Sequence, residues 1–152
     1  MTPAGRIADI AIREIGQREQ GGNNRGPRIF DYKLATWLWP DAWPWCAAFT
    51  CWVLRQWLRD NEIKDLLGLQ TPIQVEAWRC KDASAYGWET WAKNCHLLLM
   101  DESAPAKAGD FVTFDFSHIG IVIADHGATI ETVEGNTNGK GERDSESGDG
   151  VW

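Results

Sequence analysis

Trp45-Cys46-Ala47-Ala48-Phe49-Thr50-Cys51-Trp52-Val53-Leu54-Arg55-Gln56-Trp57 decides the architecture. From Cys46 to about Asp60 the chain is apolar on nearly every side, the pattern of a helix buried in the middle of a core. Pro40 and Pro44 break the backbone on either side of Trp43, so this helix opens at Cys46. Upstream, Thr2 can cap a first helix with Pro3 at its first position and Ala4, Ile7, Ala8, Ala11 and Ile15 on one face; Gly16 stops it. A polar loop, Gln20 to Gly26, leads to Pro27, which can open a short helix through about Thr36. Downstream, Thr71-Pro72-Ile73-Gln74 has the form of a capping box. It predicts a third major helical stretch towards Asn94, broken near Gly87. After Pro105 the character changes: Phe111–Phe116, Ile119–Ala124 and Thr129–Val133 are short β-branched or aromatic runs between turn residues. Helices followed by strands predict one α+β domain over residues 1–152 with a C-terminal antiparallel sheet. Residues 135–150, rich in Gly, Ser, Asn and Asp, read as a surface loop, and Val151-Trp152 as the start of an edge strand.

Composition narrows the function. Lys and Arg number 15 against 22 Asp and Glu, a net charge of −7. An acidic chain of this kind lacks the basic face that nucleic acid or anionic lipid requires. No apolar run approaches the ~20 residues of a membrane span, so no membrane insertion is expected, and no secretory signal pattern is visible at the N-terminus. Four cysteines are too few for a disulfide scaffold. Six of the ten Trp fall between Trp37 and Trp57.

Cys46 is the first candidate for chemistry. A helix N-terminus offers free backbone N–H groups and positive partial charge, which stabilise a thiolate and can hold an oxyanion. Its bland alternative is a packed core cysteine. Cys51 lies about 140° further round the same helix and reads as core, while spacing leaves open whether Cys80 and Cys95 pair or pack. Neither Cys-x-x-Cys nor His-x-x-x-His is present to support zinc, and no glycine-rich phosphate loop supports a nucleotide. No metal or cofactor is expected.

Of three histidines, only His118 begins a strand, His118-Ile119-Gly120-Ile121-Val122-Ile123. A three-residue loop Asp125-His126-Gly127 would set Ala124 opposite Ala128. That register puts His118 directly across from Glu134, with Asn136 as diagonal neighbour. A nucleophile at a helix start, an imidazole and a polar residue orienting it are the parts of a cysteine hydrolase.

Four segments, in order, are similar to the CHAP family of cysteine, histidine-dependent amidohydrolases/peptidases. They are Pro44-Trp45-Cys46-Ala47-Ala48-Phe49, Ala108-Gly109-Asp110-Phe111-Val112, Ser117-His118-Ile119-Gly120-Ile121-Val122 and Val133-Glu134-Gly135-Asn136-Thr137. The resemblance extends to the NlpC-type, papain-like peptidoglycan hydrolases. It implies a papain-like α+β fold and hydrolysis of an amide bond in bacterial peptidoglycan, by a phage endolysin or a delivered antibacterial toxin. It also implies Cys46 as nucleophile, His118 as general base and then acid, Glu134 as the residue orienting His118, and Asn136 as a further polar residue of the site. Tyr32 is a candidate for the cleft wall or a second oxyanion donor, and Trp43 and Trp45 for a rim that stacks on sugar or peptide. Two departures from the family are expected: no appended wall-binding domain, and no Asp-rich calcium site ahead of Cys46. The expected setting is a monomer acting at the cell wall or periplasm after release or delivery, with an immunity protein as partner if it is a toxin. The alternatives are a non-catalytic Trp-rich wall-binding module and an acyltransferase or transglutaminase-like enzyme on the same scaffold.

Overall fold

The computed structural model describes residues 1–152. Helix α1 (Pro3–Ile12) is capped by Thr2, whose Oγ1 accepts the Gly5 N–H at 3.0 Å, and it buries Ile7, Ala8 and Ala11. The short α2 (Pro27–Lys33) opens on Pro27 and ends in a tight turn whose last bond, from the Thr36 N–H to the Lys33 carbonyl, lies at the expected boundary. Helix α3 (Cys46–Trp57) is the spine: Cys46 to Leu54 are all buried, without a polar face. It packs on α1, α2 and the sheet, which is why its sequence carries no amphipathic stripe.

The next segment differs from expectation. A separate helix, α4 (Asn61–Leu67), follows, capped by Asp60 and closed by Gly68 in the left-handed conformation. The stretch from Thr71 is two helices, α5 (Pro72–Trp78) and α6 (Ala85–Asn94). Both halves of the Thr71/Gln74 capping box form. The break falls at residues 79–84, not at Gly87, which lies inside α6. A Cβ there would come within 1.9 Å of the Asp82 carboxyl carbon, so this glycine serves close packing, not helix termination.

Strands β1 (Phe111–Phe114), β2 (His118–Asp125) and β3 (Ile130–Val133) form an antiparallel sheet in the order β1-β2-β3. The fold is thus a small papain-like α+β domain of six helices and three strands. The β2–β3 register is not the expected one. Ile121 pairs with Val133 and Val122 with Thr132, then a bulge between Val122 and Ala124 shifts the ladder to Ala124–Glu131 and Asp125–Ile130. The loop therefore has four residues, 126–129, closed by the His126 N–H on the Thr129 carbonyl, and the Asp125 carboxylate accepts the Gly127 N–H at 2.7 Å. The chain end does not form a regular edge strand, but Trp152 exchanges both backbone bonds with Glu134. Val151 meanwhile bonds to Gly16 and Gln17 at the end of the first helical segment. Those bonds fix the backbone of Glu134 between the sheet and the chain's last residue.

Candidate active site

Cys46 is the first residue of α3 and is 8% exposed. Trp45 holds the cap position with no side chain bonded to the helix start. The first-turn N–H groups of α3, beside Cys46, are therefore not taken up by a capping side chain.

His118 stands at the start of β2, where the pairing of Phe114 with His118 sets the two rings 5.9 Å apart on one face. Phe116 lies nearly parallel to the imidazole at 6.2 Å. These aromatic walls leave His118 only 2% exposed. Its Nε2 donates to Glu134 Oε2 at 2.8 Å, which leaves Nδ1 as the nitrogen for the thiol. Burial pushes the imidazole pKa down, but the interactions with nearby Cys46 and with Glu134 outweigh it and raise the value to about 9. The geometry suits an imidazolium held between a sulfur and a carboxylate.

Glu134 is as buried as the histidine and collects four bonds. Besides His118, it accepts from Thr132 Oγ1 at 2.7 Å and from Arg143 Nε and Nη2 at 2.6 and 2.7 Å, one to each oxygen. Burial would raise its pKa; the bonds from Arg143, His118 and Thr132 together hold it at about 2. The carboxylate is therefore charged at neutral pH and well into the acid range.

Arg143 is the residue that sequence reasoning misses. It comes from the polar 135–150 stretch, whose composition signals only a loop. Nothing in the local pattern says that one arginine of that loop folds back onto the sheet.

The remaining expected site residues lie elsewhere. Asn136 is buried, but its Oδ1 has no partner, and it makes no hydrogen bond to His118. Tyr32 is fully buried in the core, stacked on Trp45, and its hydroxyl donates to Glu14 Oε2 at 2.6 Å. It can be neither cleft wall nor oxyanion donor. Trp45 is fully buried too, its indole N–H donating to Glu19 at 2.8 Å, so it has no face to offer a substrate. The two have separate packing causes: α2 packs on α3 and seats Tyr32 against Trp45, Phe49 and Trp52, while Trp45 turns inward where it caps α3. Trp43 is half-buried, its ring 4.8 Å from the Lys33 ammonium and its indole N–H on the Trp39 carbonyl. The open indoles are Trp37 and Trp39. Cys80 and Cys95 are free thiols, and Cys51 packs beside Cys80, both buried. No cluster of three or more His, Cys, Asp or Glu side chains could hold a metal ion.

A cysteine at an uncapped helix start, facing a strand histidine bonded to a buried carboxylate, is the layout of a papain-like cysteine/histidine site. The model of the CHAP domain matches residues 39–136, from just before the Cys46 loop to just past Glu134. The chain belongs to the CHAP family, whose members are typically cysteine/histidine amidohydrolases, and its activity is of the amidase/peptidase hydrolase type. No curated protein and no solved structure matches it.

Proposed function

We propose that the protein hydrolyses an amide bond of bacterial peptidoglycan, with Cys46 as nucleophile, His118 as base and acid, and Glu134 orienting His118. The observation that carries this reading is the Cys46–His118–Glu134 alignment at the N-terminus of α3. His118 takes the thiol proton, and the Cys46 sulfur attacks the carbonyl carbon. The developing oxyanion faces the first-turn N–H groups of α3. Collapse of the tetrahedral intermediate breaks the C–N bond as His118 gives its proton to the departing amine. Water, losing a proton to His118, then attacks the thioester and releases the acid and the Cys46 thiol. Glu134 holds the ring through Nε2 during both transfers and stabilises its cationic form.

A phage endolysin and a toxin delivered to a competing cell use the same chemistry at the wall, and in the second case an immunity protein would cover this cleft. Trp37 and Trp39, exposed on the loop before Pro40, supply rings on which sugar or peptide can stack. Turbidity loss of purified cell walls, with Cys46→Ala and His118→Ala as controls, tests the reading. Mass spectrometry of the released fragments identifies the bond cut. If both variants clear walls as fast as the parent, the mechanism is wrong. Capture of the acyl group by an added amine in place of water would instead mark an acyltransferase.

A further inference from the structure

We propose that Arg143 is a positioning residue of this site: it locks Glu134 in place and supplies the positive charge that balances the buried reactive cluster. The proposal rests on the Cys46 mechanism above. It starts from charge counting. In the form that attacks, Cys46 is an anion, His118 a cation and Glu134 an anion, and none of the three is more than a tenth exposed. Alone, they would leave an unbalanced negative charge in a buried place, which is costly. Arg143 makes the set of four neutral.

The geometry is that of a built contact. The guanidinium meets the carboxylate two-pronged, one nitrogen to each oxygen, the arrangement that fixes orientation as well as charge. Its Cζ lies 4.7 Å from the centre of the Phe114 ring, so the plate rests on the same aromatic that flanks His118. The loop carrying it is tied on both sides. Asn138 Oδ1 accepts the Lys140 and Glu142 N–H groups, and Thr137 Oγ1 donates to the Glu142 carbonyl. Asp144 Oδ1 accepts from Glu146 and Ser147, and Thr137 bridges to Gly150. Arg143 is thus held between two internally bonded turns. The ionisable groups facing the cluster are Cys46 from α3, His118 from β2, Glu134 at the end of β3 and Arg143 from this loop.

Arg143→Gln and Arg143→Lys separate charge from fork. In Arg143→Gln, kcat on wall fragments should fall about tenfold or more with KM nearly unchanged, because the loss lies in the reacting state. The acid limb of the kcat/KM profile should move, and alkylation of Cys46 by iodoacetamide at pH 7, read on its own peptide, should slow in step. Arg143→Lys keeps the charge and should recover most of the alkylation rate but less of kcat, since a single ammonium cannot grip both oxygens. Alkylation needs no peptidoglycan, so it judges Arg143 even if the wall proves not to be the substrate. Failure of Cys46→Ala to lose activity would sink the mechanism itself. If folded Arg143→Gln alkylates at the parent rate with an unmoved pH profile, and loses only melting temperature, Arg143 is a structural tie and the proposal is overturned.

Discussion

Gly120 and Glu134 share a space that holds only one side chain: a Cβ on Gly120 would lie 2.6 Å from Glu134 Cγ. The Ile121–Val133 pairing, continued one step, sets these two opposite each other, and His118 one position further along that face. Glu134 is therefore a diagonal neighbour of His118, and it reaches the imidazole by leaning across the gap that Gly120 leaves. Gly120→Ala should fold, since alanine suits a strand at least as well as glycine. It should push the Glu134 carboxylate off Nε2 and cost roughly 10- to 100-fold in turnover. Wall lysis at the parent rate by a folded Gly120→Ala would show that the lean is not required.

Replacing Glu134 itself separates shape from charge. Glu134→Gln keeps the volume and loses the anion, so burial regains weight against the remaining interaction with Cys46 and the His118 pKa should fall from about 9. Turnover should drop on the order of 100-fold. Melting temperature should fall as well, because Arg143 loses the carboxylate it grips. Histidine NMR across a pH series reads the first effect; an unmoved His118 resonance would remove Glu134 from the pair.

What the sequence discloses about this site is local, and what it hides is long-range. Thr2, Thr71 and Pro44 announce helix starts through chemistry within four residues, and Cys46 takes its place at the start of α3 from the last of these. The alternation of β2 and β3 puts His118 and Glu134 on one face, and face survives any even shift of register. That is why Glu134 meets His118 although the hairpin loop is one residue longer than Asp125-His126-Gly127 and a bulge follows Val122. The bulge leaves no mark in composition. Arg143 is hidden for the same reason, its position depending on Asn138 and Asp144 turns closing around it. Tyr32 and Trp45 mislead because an aromatic side chain reads alike in the sequence whether it faces the core or a cleft. Short α4 follows directly on the expected end of the central helix near Asp60, with no sequence signal as strong as a proline to set it apart.

Asn136 tests the alternative third member. It sits at φ +58°, a left-handed conformation that asparagine tolerates and alanine resists by about 1–2 kcal/mol. Its amide oxygen has no partner to lose. Asn136→Ala should therefore lower stability while keeping far more activity than Glu134→Gln, and Asn136→Gly should recover part of the stability. Greater loss of activity in Asn136→Ala than in Glu134→Gln, at equal folded fraction, would make the amide the orienting group.

The pH dependence of stability follows from which protons the fold holds. His118 normally titrates near 6.5 and here near 9, so the folded chain keeps a proton that the unfolded chain releases between those values. Its contribution is complete below about 6.5 and disappears as pH climbs through about 9. Glu134, held near 2 instead of 4.5, contributes fully above 4.5 and loses that only as pH falls through about 2. Lys33 opposes His118 at high pH. Buried and bonded only to the Asn24 and Asp41 carbonyls, it is lowered by desolvation to about 8 from 10.5, so its term rises between those values. Urea midpoints for the parent minus His118→Gln cancel every group not coupled to His118, and Glu134, which is coupled, stays charged above pH 4.5. That difference should be level from pH 4.5 to 6.5 and shrink steadily to pH 9. The same subtraction with Lys33→Met should grow in the parent's favour above pH 8. A His118 difference that stays level to pH 9.5 would mean the imidazole carries no extra proton, and the ion pair with Glu134 would not exist.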